Sequence, residues 1–126
     1  MENNEYFGPH LMLDLSECNV EKLNNYRFIF DLLSELPTKI GMTKITQPYV
    51  FPYSGLVPED AGITGVVIVA ESHISMHTFV HKEYVFIDIF SCKPFDLTDV
   101  EKYLIDIFES KNYTRHFTQR GLDFPR

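Results

Sequence analysis

Tryptophan is absent from this chain of 126 residues, and cysteine occurs only twice, as Cys18 and Cys92. Two thiols are too few for a disulfide scaffold or a self-sufficient structural zinc site. The expectation is a pair of free thiols in a cytoplasmic protein, with a single bridge between them as the alternative. Basic residues are also scarce, 11 Lys and Arg against 18 Asp and Glu, which leaves a formal charge of −7. That balance argues against a surface tracking nucleic-acid phosphates and favours a cationic ligand. Long hydrophobic runs are missing too. The strongest, Ile63 to Ala70, is less than half of the ~20 residues a membrane helix needs, so no membrane association is expected. The opening MENNEYFGPH has no basic region leading into an apolar segment, so no signal peptide is read there.

The chain does contain enough for a core. Hydrophobic residues make up 44% of it, with 11 Phe and 7 Tyr. This fits one domain over residues 1–126 and excludes a disordered chain. A domain of this size buries only ~65% of its extended-chain surface, so pairing with a second copy is a natural way to complete a core or a site.

Periodicity gives the elements. Leu11, Leu13 and Leu15 alternate with His10, Met12 and Asp14, as in a strand with one face buried. Asn19 is placed to cap a helix over Val20 to Leu36, ended by Pro37, with Leu23, Tyr26, Phe30 and Leu33 as its stripe and Ile29 and Leu36 beside it. Gly41 opens an extended segment whose Pro48 must lie near an edge. PYSGLVPEDAG, residues 52 to 62, reads as the one clear loop, followed by the strand TGVVIVA. Two more strands follow, joined by a tight turn at Lys82 and Glu83. Asp96 can cap a last helix with Val100, Leu104, Ile107 and Phe108 inward, and YTRHFTQ makes a final strand. The order β-α-β-β-β-β-α-β predicts an α+β fold, a two-layer sandwich with helices on one face of a largely antiparallel sheet.

A two-residue turn at Lys82 and Glu83 pairs His81 with Tyr84, Phe79 with Phe86, His77 with Asp88, Ser75 with Phe90 and His73 with Cys92. All of these side chains share the face opposite Ile74, Met76, Thr78 and Val80. A solvated face with scattered aromatics is one account of it. A pocket, closed by a second protomer, with His77 and Cys92 as proton-transfer groups is the other. A four-residue step along a strand covers ~13 Å, so His73, His77 and His81 cannot ligate one ion, and no metal is expected.

The run ITGVVIVAESHISMHTF followed by YVFIDIFSC resembles the S-adenosylmethionine decarboxylase family of small prokaryotic pyruvoyl-dependent proenzymes, and the opening GPHLMLDLSEC resembles that family's start. The resemblance implies self-cleavage between Glu71 and Ser72 into residues 1–71 and 72–126, with Ser72 converted to a pyruvoyl group and no imported cofactor. That group would form a Schiff base with the substrate amine. His77 matches the processing base, Cys92 the proton donor of the mature reaction, and Thr64 stands where the family usually has an assisting serine. A homodimer of processed protomers, with sites near the interface, and a role in polyamine synthesis are also implied.

The departures concern the substrate. Where the family commonly has tryptophan, proline and glutamate, the glutamate holding ribose hydroxyls, this chain has Phe79, Val80 and His81. Candidate substrate contacts are Glu71, Phe51, Phe79, His81, Glu59 and Asp60. S-adenosylmethionine is the first substrate expected. Arginine or ornithine decarboxylation on the same scaffold is an alternative, as is a non-catalytic partner of an active homologue.

Overall fold

The computed structural model describes residues 6–125. Seven strands form one antiparallel sheet: β1 (Gly8–Ser16), β2 (Thr43–Lys44), β3 (Tyr49–Tyr53), β4 (Gly62–Ala70), β5 (Ser72–Phe79), β6 (Tyr84–Phe90) and β7 (Asn112–Arg120). Their spatial order is β2-β4-β5-β6-β1-β7, with β3 also paired to β4. The helices α1 (Val20–Leu23), α2 (Tyr26–Lys39) and α3 (Leu97–Phe108) complete the α+β architecture.

Alternation along the strands decides what faces the helices. Leu11, Leu13 and Leu15 of β1, Val67 and Val69 of β4, Ile74 and Met76 of β5, and Val85, Ile87 and Ile89 of β6 are buried. They share one core with Ile29, Leu32, Leu33 and Leu36 of α2 and Val100, Leu104 and Phe108 of α3. Each such side chain stabilises the fold by roughly 1.5–3 kcal/mol on burial.

The single helix expected over Val20 to Leu36 is two. The break falls at Asn24 and Asn25, and each helix has its own cap: the Asn19 side chain accepts from the Lys22 amide and that of Asn25 from the Phe28 amide. A second side-chain cap satisfies amides that a continuous helix would bond internally, so the chain can turn here. The reset phase puts Ile29, Leu32, Leu33 and Leu36 inward and leaves Tyr26 exposed, which corrects the predicted stripe. Pro37 lies inside α2, not beyond it.

The extended segment after Gly41 divides into β2 and β3, with Pro48 between them. The predicted loop is shorter than residues 52 to 62. Pro52 and Tyr53 belong to edge strand β3, where a missing amide donor is tolerated, and Pro58–Asp60 forms a 3-10 turn.

The turn after β5 is also longer than two residues. Val80–Lys82 winds into a 3-10 turn, Glu83 adopts a left-handed conformation at φ 56°, and the Val80 amide bonds to the Ala61 carbonyl and not to β6. The register therefore moves by two: His73 faces Phe90, Ser75 faces Asp88, His77 faces Phe86 and Phe79 faces Tyr84. The predicted His73–Cys92 and His77–Asp88 pairs do not form, and His81 is displaced into the turn. An even shift keeps every side chain on its predicted face.

Candidate active site

The face away from the helices carries cross-sheet rows. One runs Phe51, Thr64, His77, Phe86, Asp14. A parallel row four positions along runs Ile68, His73, Phe90, His10. None of the described helices covers this face. Phe51, Ile68 and Phe86 are exposed there.

Two groups of candidate residues occupy opposite ends of β5. At its start, the hairpin between β4 and β5 pairs Val69 with Ser72, so the Glu71–Ser72 bond lies at the hairpin tip. Ser72 is 7% exposed, and its hydroxyl is a buried polar atom with no hydrogen-bond partner. A buried hydroxyl without a partner carries a desolvation cost, so its retention needs a reason. The Cys92 thiol donates to the Ala70 carbonyl at 3.3 Å, one residue before Glu71. Gly8 lets β1 pass close to the segment carrying Cys92: a Cβ there would run into the Ser91 carbonyl and fall 3.0 Å from the Cys92 Cα.

At the other end, the Thr64 hydroxyl lies 3.2 Å from His77 Nδ1. This pair opens into a cavity of about 450 Å³ lined by Phe51, Tyr53, Asp60, Thr64, His77 and Phe79, among others. Gly62, paired with Tyr53, also lines it, and a Cβ there would run into the Thr78 carbonyl. Asp60 is anchored by Lys82, whose Nζ donates to Oδ1 at 2.8 Å.

The sequence-derived candidates divide accordingly. Phe51, Asp60, Thr64, His77 and Phe79 come together around the cavity. Ser72, Cys92 and the exposed Glu71 gather at the hairpin tip. Glu59 and His81 do not line the cavity; His81 borders a smaller adjoining one of about 250 Å³. From Ser72 to His77 is five strand residues, about 16 Å at ~3.3 Å each. The two reactive groups of one chain are therefore not in contact.

Tyr53, two places on from Phe51, also lines the cavity but is not legible as a site residue, because residues 52 to 62 read as loop from sequence. His10, which with Asp14 and Asp88 is a sequence candidate for binding or positioning, packs beside His73 and Phe90, and its Nε2 is buried without a hydrogen-bond partner. Burial is the main influence holding its pKa below the usual histidine value of 6.5, with Asp88 opposing and Arg120 and His73 reinforcing. Among the described residues, no group of three or more His, Cys, Asp or Glu is arranged to hold a metal ion. Likewise no described helix is long and apolar enough to cross a membrane.

The antiparallel sheet backed by helices, with Ser72 and His77 on β5 and Cys92 just past the end of β6, has the architecture of a decarboxylase fold. The chain belongs to the S-adenosylmethionine decarboxylase family, whose profile matches residues 9–121. It is thus an enzyme of the carboxy-lyase type. It is 35% identical over 107 residues to the S-adenosylmethionine decarboxylase proenzyme of Oceanobacillus iheyensis, covering 84% of this chain and 80% of that one. It is 36% identical over 101 residues to the proenzyme of the same name from Clostridium botulinum, covering 79% and 82%. The crystal structure of the adenosylmethionine decarboxylase from Aquifex aeolicus superimposes with a TM-score of 0.77 at 26% identity, covering 94% of this chain and 93% of that one.

Proposed function

We propose that this protein decarboxylates S-adenosylmethionine after cutting its own Glu71–Ser72 bond, and that two processed copies build each site together. The observation that carries the reading is the separation of Ser72 and Cys92 from Thr64 and His77 along β5. A second copy, laid on the uncovered sheet face by a two-fold rotation, brings the Thr64–His77 end of one protomer to the Ser72–Cys92 end of the other. Such an interface is self-complementary and produces the site twice. The relatives' names favour S-adenosylmethionine over arginine or ornithine, and the aromatic lining of the cavity suits a nucleoside.

In processing, the Ser72 hydroxyl attacks the Glu71 carbonyl carbon. A C–O bond forms, the C–N bond breaks, and the Ser72 amine is freed. His77 of the facing copy, oriented by Thr64, removes the Ser72 α-proton, so that the ester C–O bond breaks and Glu71 departs as a carboxylate. Water then replaces nitrogen, which leaves as ammonia. The buried, unpartnered Ser72 hydroxyl and the thiol 3.3 Å from the Ala70 carbonyl fit this conversion.

The resulting pyruvoyl group supplies a ketone carbonyl as acceptor for the electrons released when carbon dioxide leaves. Cys92 then returns a proton to the substrate's former α-carbon. The Glu71 carboxylate, freed beside it, favours a cationic substrate.

The test is intact-mass analysis of purified protein together with carbon dioxide release from S-adenosylmethionine. Two fragments, the second blocked to N-terminal sequencing, and turnover are expected. A chain that stays whole with an ordinary serine at position 72, or a cleaved protein without turnover, overturns the reading.

A further inference from the structure

We infer that Asp60 is the specificity-determining acceptor for the sugar hydroxyls of the substrate, an inference that rests on the proposed S-adenosylmethionine reaction. The cavity beside Thr64 and His77 is walled by the rings of Phe51, Tyr53 and Phe79, and Asp60 is the carboxylate among its lining residues. Rings recognise the flat base. A vicinal diol, in contrast, needs an acceptor that can take two hydroxyl protons, and an ionised carboxylate is the side chain suited to that. His81 cannot serve, because it sits in the 3-10 turn outside this cavity.

The ion pair decides which part of the substrate Asp60 meets. Lys82 lies 2.8 Å from Oδ1 and balances the carboxylate charge. A carboxylate already matched by a lysine exerts little net pull on a sulfonium centre, yet its second oxygen keeps acceptor lone pairs. Asp60 therefore reads hydroxyls and not the positive charge. The lysine has a further effect: it fixes the 3-10 turn containing Asp60 against the turn after β5, so the acceptor is held in place before the ligand arrives.

The experiment uses a neutral nucleoside, 5′-methylthioadenosine, and its 2′,3′-dideoxy counterpart, with binding followed by calorimetry on the processed protein. Wild-type protein should prefer the hydroxylated compound by about 10-fold or more, the scale of a hydrogen bond to a charged group. Asp60→Ala should abolish that preference and leave affinity for the dideoxy compound unchanged. Lys82→Met breaks the same ion pair and loosens the acceptor but retains the carboxylate, so it should narrow the preference without abolishing it. Equal weakening of both ligands by Asp60→Ala, loss of the preference in Lys82→Met, or wild-type indifference to the hydroxyls overturns the inference. Carbon dioxide release is scored separately. Wild-type protein that is cleaved but inactive counts against the proposed reaction, not against the hydroxyl contact.

Discussion

His77 and Ser72 lie on the same strand, five residues apart, and face opposite sides of the sheet. An odd separation along a strand has that consequence, and the distance of about 16 Å compounds it. His77 instead keeps company with Thr64, 3.2 Å away on β4. On the proposed reading, one copy of the chain holds two half-sites.

Mixing crippled chains tests this directly. Ser72→Ala and His77→Ala variants should each remain whole when alone. Refolded together, the His77→Ala chain supplies an intact Ser72 and receives His77 from its partner. Random pairing of equal amounts should yield cleavage of roughly a quarter of all chains, quantified by intact mass. No cleavage in the mixture, with both variants folded and paired, refutes shared sites.

Processing and turnover should separate genetically. Cys92→Ala is expected to leave most cleavage in place but to lose productive decarboxylation by 10²-fold or more, the scale of a lost acid–base group. The measurement pairs carbon dioxide release with amine product. Normal amine yield from that variant removes Cys92 from proton return.

The two thiols should behave differently. Burial pushes the Cys18 thiol up from 9.0 to about 11, partly offset by Ser110, with Glu83 adding to the rise. At pH 8, alkylation should therefore modify Cys92 and spare Cys18, which is only 5% exposed. The same shift predicts an alkaline loss of stability. Above pH 9 the unfolded chain releases the Cys18 proton while the folded chain keeps it, so folding free energy declines until about pH 11. Urea titrations across this range should show a steeper decline in wild type than in Cys18→Ala, where the raised pKa values of Tyr103 and Lys82 still contribute.

Thr78 ties both layers together. Its buried hydroxyl accepts from the Ile63 amide at 2.9 Å and donates to the Leu23 carbonyl at 2.9 Å. Thr78→Val preserves shape but strands both backbone groups. A loss of about 1–3 kcal/mol is expected in urea unfolding.

The sheet was legible because its signals are local and redundant. Alternation in β1, β4, β5 and β6 identified both faces, and Asp96 capped α3 as read. What failed depended on contacts between distant segments. Val80 bonds to Ala61, and Lys82 to Asp60, so the turn after β5 answers to the preceding loop and not to a two-residue hairpin rule. Helix α2 starts where Asn25 resets the phase, which a stripe read continuously from Val20 cannot show. At the site, the sheet-face pattern pointed to His77 and Cys92, and Ser72 came from the family resemblance. The five-residue step that parts Ser72 from His77 follows from their shared strand, whereas the cavity shared by Phe51, Asp60 and Phe79 needed the path of the loop.

The position of β1 has a consequence for what a cut at Glu71 produces. Gly8–Ser16 belongs to the N-terminal piece, yet it lies between β6 and β7, both in the C-terminal piece. A further ladder joins β4 to β5 across the break. The two products are thus interdigitated like laced fingers, with no seam along which they could part. They would travel as one particle through any native separation and come apart only in denaturant. Recombining them from separate denatured stocks would require a strand to thread between two others, so the lacing is set while the chain is still continuous.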